Sequence, residues 1–152
     1  MKKIKNLIYI SIFLIFLPVL TSCKESSYPA NIIGYNHTDK SIGDFFVNGY
    51  GGGFLDAHKG GGVFVCCISI PKKWSPDQKV TIKWTNDHGK SFQERTIPIP
   101  EYKESGQFDV HFLYNGEIKV FVTPMSLWHP DSPLKGPEAE MTPGVPLRKI
   151  KN

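Results

Sequence analysis

The sequence predicts an all-β fold: an immunoglobulin-like β-sandwich of about seven short antiparallel strands, followed by an irregular proline-rich C-terminal tail. Three observations carry this expectation. Runs rich in β-branched and aromatic residues recur, each too short for a helix. Turn signals separate them, above all Asn48-Gly49 and Asn115-Gly116. After the N-terminal leader, no stretch keeps a 3.6-residue apolar period beyond one or two turns.

The leader comes first. Lys2, Lys3 and Lys5 precede an apolar run over residues 7–20, which ends in Leu20-Thr21-Ser22-Cys23. The run is shorter than the roughly 20 residues of a membrane span and suits the core of a secretory signal. A small-residue pair before a cysteine at that place is a bacterial lipobox. Residues 1–22 are thus expected to be cleaved and Cys23 to carry the lipid. Lys24 stands where an aspartate would favour inner-membrane retention, so an outer-membrane lipoprotein on the periplasmic face is expected. Acyl chains, at about 0.8 kcal/mol per buried methylene, anchor it without a spanning helix. Residues 23–30 read as a tether, 31–123 as the sandwich and 124–152 as the extension. Removing 1–22 leaves 130 residues, enough for one domain, and the three leader lysines account for all but +1 of the net +4 charge. So small a charge points to no nucleic-acid partner.

Residues 31–36 and 42–47 read as the first two strands, around the polar His37-Thr38-Asp39-Lys40. A Gly-rich loop follows, from Gly49 to Gly62. It lacks the Gly-Lys-Ser/Thr ending and the helix of a phosphate loop. Its glycines permit tight bends and close backbone approach. Residues 63–70 read as the central, buried strand. This strand carries Cys66 and Cys67, for which three states are open. They can be structural thiols facing opposite ways, a vicinal disulfide, or a soft-metal or redox site. Across a trans peptide their Cα atoms would stand about 3.8 Å apart, below the usual disulfide range.

Val80, Ile82 and Trp84 alternate with Thr81, Lys83 and Thr85 and form the clearest half-buried strand, with residues 91–97 as its partner. Residues 108–114 and 117–122 flank Asn115-Gly116, a type I′ hairpin signal. A two-residue loop would pair Leu113 with Ile118 and Phe112 with Lys119. It would put Tyr114 on the face of Phe108, Val110, Phe112 and Phe121. From residue 124, six prolines break regular structure. The segment is expected to pack through Met125, Leu127 and Trp128, then to be mobile after about Lys135. Arg148, Lys149 and Lys151 read as a solvated end.

No catalytic constellation is legible. The five histidines have no metal-ligand spacing, no Gly-x-Ser-x-Gly is present, and no cofactor motif or metal site is expected. Asp44, Asp56 and Asp109 could meet only through the fold. The reading is of a binding protein, not an enzyme.

Several landmarks recur together: Gly34-Tyr35-Asn36-His37-Thr38-Asp39, Val47-Asn48-Gly49, the glycine runs and Cys66-Cys67. They continue with Pro71-x-x-Trp74-x-Pro76, Val80-x-Ile82-x-Trp84, Val110-His111-Phe112 and His129-Pro130. In this the chain resembles a family of small bacterial lipoproteins, similar to the immunity lipoproteins that accompany phospholipase effectors of type VI secretion. The resemblance implies binding and neutralising a cognate secreted phospholipase. It brings no catalytic residue, cofactor or contact residue. The contact surface expected from the residues themselves is the Gly-rich loop, with Tyr50, Gly51, Gly52, Gly53, Phe54 and His58, together with Trp128 and His129. Two other roles stay open: an envelope-structural or assembly lipoprotein, and a redox or metal-handling one using Cys66 and Cys67.

Overall fold

A computed structural model describes residues 26–60, 65–87 and 89–141. The signal segment, Cys23, Gly61, Gly62, His88 and the basic end lie outside the described residues. The fold is an all-β sandwich of two sheets. In chain order the strands are β1 (Ser27–Asn36), β2 (Asp44–Val47), β3 (Tyr50–Gly51), β4 (Lys59–Gly60), β5 (Val65–Pro71), β6 (Lys79–Thr85), β7 (Phe92–Pro98), β8 (Gln107–Phe112) and β9 (Ile118–Thr123). A short 3-10 helix, Pro137–Glu140, follows.

The first sheet runs β4-β1-β8-β9, and β5 also pairs with β1. The second runs β3-β2-β6-β7. The strands are not all antiparallel, because β1 and β8 run parallel, Ile32 beside Phe108 through Asn36 beside Phe112. β1 starts at Ser27, so residues 27–30, expected in the tether, are strand. Between the sheets lies the main core, with Ile32, Phe45, Val47, Val80, Ile82, Phe108 and Val110 almost fully buried. Burial of this kind contributes roughly 25 cal/mol per Å² of apolar surface.

Two expectations about strand position are corrected. The Cys66-Cys67 strand is not central: among the described residues β5 pairs only with β1, at the sheet edge, and only Ile68 and Ile70 of it are buried. The β8–β9 hairpin is one residue out of the expected register. Phe112 faces Ile118, and Val110 faces Val120. Leu113 N–H donates to the Glu117 carbonyl at 2.9 Å, with Gly116 alone at positive φ in a three-residue loop. A type I′ turn would need φ above zero at Asn115 as well. A slip of one residue moves side chains to the other face. Ile118 and Val120 therefore join Phe108, Val110 and Phe112 in the core, whereas Tyr114 is exposed on the loop. At Asn48 (φ 49°) and Gly49 (φ 85°) the expected tight turn does form, between β2 and β3.

The tail is a strap. It crosses the outer face of the first sheet and buries Leu127, Leu134 and Met141 against Ile33 and Tyr35, with Phe121 beside them. Ordered packing thus continues to Met141, past the point where mobility was expected. Met125 is only half-buried and Trp128 is half-exposed, so Leu127 is the anchor of the expected trio.

Candidate binding surface and the polar cluster behind it

The Tyr35-Asn36-His37-Thr38-Asp39 segment ties the Gly-rich loop to the sheet. Asn36 is fully buried, and its Nδ2 donates to the carbonyls of Lys40 (2.8 Å) and Asp56 (3.0 Å). Its Oδ1 accepts from Thr38 N–H at 3.0 Å and from the Thr38 hydroxyl at 2.8 Å. His58, at φ 54°, turns inward and pairs Nε2 with Asp39 Oδ1 at 2.8 Å. A buried amide with all these partners fixes both segments it bonds. His58 is only 4% exposed, so it supplies no contact surface as the sequence suggested.

The glycines divide by role. A side chain on Gly52 would run into the Phe45 ring, and one on Gly34 would meet Leu55 Cδ1 at 2.7 Å. These positions let the loop lie against the core. Gly52 is buried, Gly51 and Gly53 are half-buried, and Tyr50 and Phe54 stand out at 50% and 42% exposure. Trp128 is 51% exposed, its Nε1 donating to the Met141 carbonyl at 2.9 Å and its edge meeting Tyr35. His129 is exposed and accepts Asp131 N–H on Nδ1. Two further aromatics, Phe92 and Tyr114, are exposed. Sequence reasoning missed both, Tyr114 because of the hairpin register. Tyr114 borders an open groove of about 340 Å³ that also touches Trp84 and Arg95.

Beneath the strap lies a polar cluster. Because β1 and β8 run parallel, Tyr35 sits beside His111 and their rings stack, centroids 4.6 Å apart. His37 Nε2 and His111 Nδ1 share a hydrogen bond of 3.1 Å, so one ring donates and the other accepts. Burial first, then the charge of His58, brings His37 down to about 4. Burial, then His37 and Lys119, holds His111 well below the usual range. Burial pushes Asp109 up to about 8 against an opposing hydrogen bond from Gln107, and Asp109 Oδ1 has no hydrogen-bond partner among the described residues. Burial and then the Asp109 charge raise Tyr35 to about 12. Burial thus favours the neutral form of each of these groups, which suits a closed interior. His37 and His111 were visible in the sequence only as landmarks.

Asp44, Asp56 and Asp109 do not converge. Asp44 is on β2 in the second sheet, Asp56 is exposed and paired with Lys59 at 3.0 Å, and Asp109 lies under the strap. Among the described residues no group of three His, Cys, Asp or Glu side chains could hold a metal ion.

Cys66 and Cys67 are disulfide-bonded. They are the two β5 residues opposite Asn31, at a bulge between the Ala30–Ile68 and Ile32–Val65 pairs. The peptide joining them is cis, with Cα atoms 3.1 Å apart, so the trans geometry behind two opposed thiols does not hold. Cys66 is exposed and Cys67 half-buried.

The family model described as "Protein of unknown function (DUF3304)" matches residues 35–120, more than half of the chain. The chain belongs to this family. The matched span covers the Asn36 ties, the Gly-rich loop, the disulfide and both histidines of the buried pair, and it ends before the strap. No curated protein and no solved structure matches the chain.

Proposed function

We propose that this protein is a lipid-anchored binding protein that neutralises a secreted phospholipase, as an immunity lipoprotein of a type VI system does. The observation that carries the reading is the set of exposed aromatics on tied-down backbone. Tyr50 and Phe54 stand on a loop held by Asn36 and packed glycines, and Trp128 on a strap anchored by Leu127. Rigid aromatic side chains supply contact area at little entropic cost and dominate interface energetics. The lipobox at Cys23 supports the same reading, since a tether at the membrane surface raises the effective concentration of an inhibitor where a phospholipase acts. No catalytic residue, cofactor or metal is needed.

The test is periplasmic expression of a type VI phospholipase effector from the same genome, with and without this protein. Rescue of growth and a stable complex are expected. Truncating Tyr50, Phe54 or Trp128 to alanine should weaken binding by about thirtyfold or more at a hot spot. Continued lysis with the lipoprotein well expressed, and no complex at micromolar concentration, would overturn the reading. One observation favours a second reading, a thiol-handling lipoprotein: the Cys66–Cys67 bond is solvent-accessible on an edge strand. A Cys66→Ser/Cys67→Ser variant that still folds and still protects against the lipase would remove it.

A further inference from the structure

We propose that β7 is the docking edge for one extended strand of the protein partner, added antiparallel or parallel to the second sheet. The inference rests on the reading that the partner is the secreted phospholipase.

β7 is the last strand of its sheet, and every residue in it is exposed except the half-buried Ile97. Among the described residues no strand pairs with its outer side. Antiparallel ladders alternate between residues bonded to the neighbour and residues whose N–H and C=O point away. The phase is set at one end, where Ile99 N–H donates to the Gln78 carbonyl at 3.0 Å. In the β6–β7 register, Ile97, Arg95 and Gln93 are then the residues bonded to β6. At the far side of β6, Asn48 N–H donates to the Thr81 carbonyl, which puts the odd residues of β6 toward β2 and agrees with that phase. Phe92, Glu94 and Thr96 therefore aim their backbone donors and acceptors outward. Pro98 falls in the same outward class, where its missing N–H costs no ladder bond to β6. An open row of such groups is a template for another strand.

The flank offers room for the side chains of that strand. Two adjoining hollows, of about 320 and 400 Å³, run between β7 and β9, and Ile97, Pro98, Ile118 and Lys119 line both. A second copy of the chain is a poor occupant. Three symmetric antiparallel registers pair five or more residues of β7 with itself. Two set Glu94 against Glu94 or Arg95 against Arg95. The third, Thr96 against Thr96, puts Pro98, which has no N–H, opposite Glu94 and so loses a ladder bond at each end. Like charges directly opposite are destabilising. A different chain has no such constraint.

Thr96→Pro tests the inference in the full-length protein. It removes one outward N–H, leaves the β6 ladder intact and repeats the chemistry of Pro98. Its affinity for the lipase should fall at least tenfold with little change in melting temperature. Hydrogen exchange on the wild-type complex gives a readout that needs no variant. The Glu94 and Thr96 amides should slow on binding, whereas Gln93 and Arg95 should be slow already. If wild type binds the lipase but those two amides do not slow, the docking edge is wrong and the immunity reading stands. If Thr96→Pro folds and binds as tightly as wild type, the same conclusion follows. If wild type does not bind the lipase at all, both fall. A concentration-dependent dimer that Thr96→Pro dissolves would overturn the partner class in favour of a second copy.

Discussion

The two sheets of this sandwich treat their outer faces differently. The first sheet has apolar or neutral-aromatic residues on both sides: Ile32, Phe108 and Val110 face the core, while Ile33, Tyr35, His111 and Phe121 face outward. It is closed by the strap. In the second sheet β6 alternates over residues 79–84, with Val80, Ile82 and Trp84 inward and Lys79, Thr81 and Lys83 outward. The aromatics of the outer face, Phe46 and Phe92, cover each other, with Lys83 over the Phe92 ring. A sheet face is covered when its own composition makes exposure costly. The difference divides the molecule into a stabilised side and an open side.

The largest expected effect tests the covered side. Leu127 is 2% exposed and packs with Leu134 and Met141 on Ile33 and Tyr35. Leu127→Ala should destabilise the protein by about 2–5 kcal/mol, through lost transfer energy and the cavity left behind. Urea unfolding checks it. A cost below about 1 kcal/mol would mean that the strap is an ornament on a sheet stable without it.

A second prediction uses the chemistry sealed under the strap. Between about pH 4 and 6.5 the unfolded chain binds protons that His37 and His111 refuse in the fold, so stability is lost as pH falls through that window. Asp109 has the opposite sign. Raised from 3.8 to about 8, it holds a proton in the fold that the unfolded chain has released, so stability is lost as pH rises between those values. Below 6.5 the two histidines outweigh the one carboxyl, and above it Asp109 outweighs what is left of their titration. Stability should peak near pH 6.5 and fall by about 1 kcal/mol toward pH 8, less than the limiting slope of about 1.4 kcal/mol per pH unit per proton would give. Asp109→Asn should flatten the alkaline limb and steepen the acid limb, where the carboxyl no longer opposes the two histidines. Denaturant midpoints at four pH values measure both, and an unchanged alkaline limb in that variant would assign the decline to another group.

Much of this contrast was legible in the sequence, and what was not has a physical reason. The alternation of Val80, Ile82 and Trp84 predicted the half-buried strand, because a period of two on one face is a local signal. Residues 108–122 carry apolar side chains on both faces, the composition of a strand pair that lies between layers, and the strap is the second layer. The register was missed because Asn115-Gly116 serves either a two- or a three-residue loop, and only packing decides between them. The edge position of β5 was missed for a similar reason: an apolar run states that residues can be buried, not which neighbours will bury them. The parallel β1–β8 pair, and with it the stacking of Tyr35 on His111 and the His37–His111 bond, joins residues more than seventy positions apart. No spacing rule reaches that far. Of the candidate surface, Tyr50, Phe54 and Trp128 are exposed and His58 is not, because Asp39 offered an inward partner that the sequence could not locate in space.

The smallest expected effect tests the open side. Thr96 lies on the outer face of β7 opposite Thr81, and their hydroxyls share a hydrogen bond of 3.0 Å in contact with water. Thr96→Val keeps the shape and the β-branched preference and removes only that bond. Neutral hydrogen bonds at exposed sites contribute little, since water replaces them. Valine is also at least as good a strand residue as threonine. The change in stability should stay within about 0.5 kcal/mol, the range of substitutions on free surface. A loss above about 2 kcal/mol would mean that the outer face of the second sheet is packed against something. The division into a covered sheet and an open one would then fail at its open end. Together with a large cost at Leu127, a near-zero cost here would place the stability of the fold on the strap side of the sandwich.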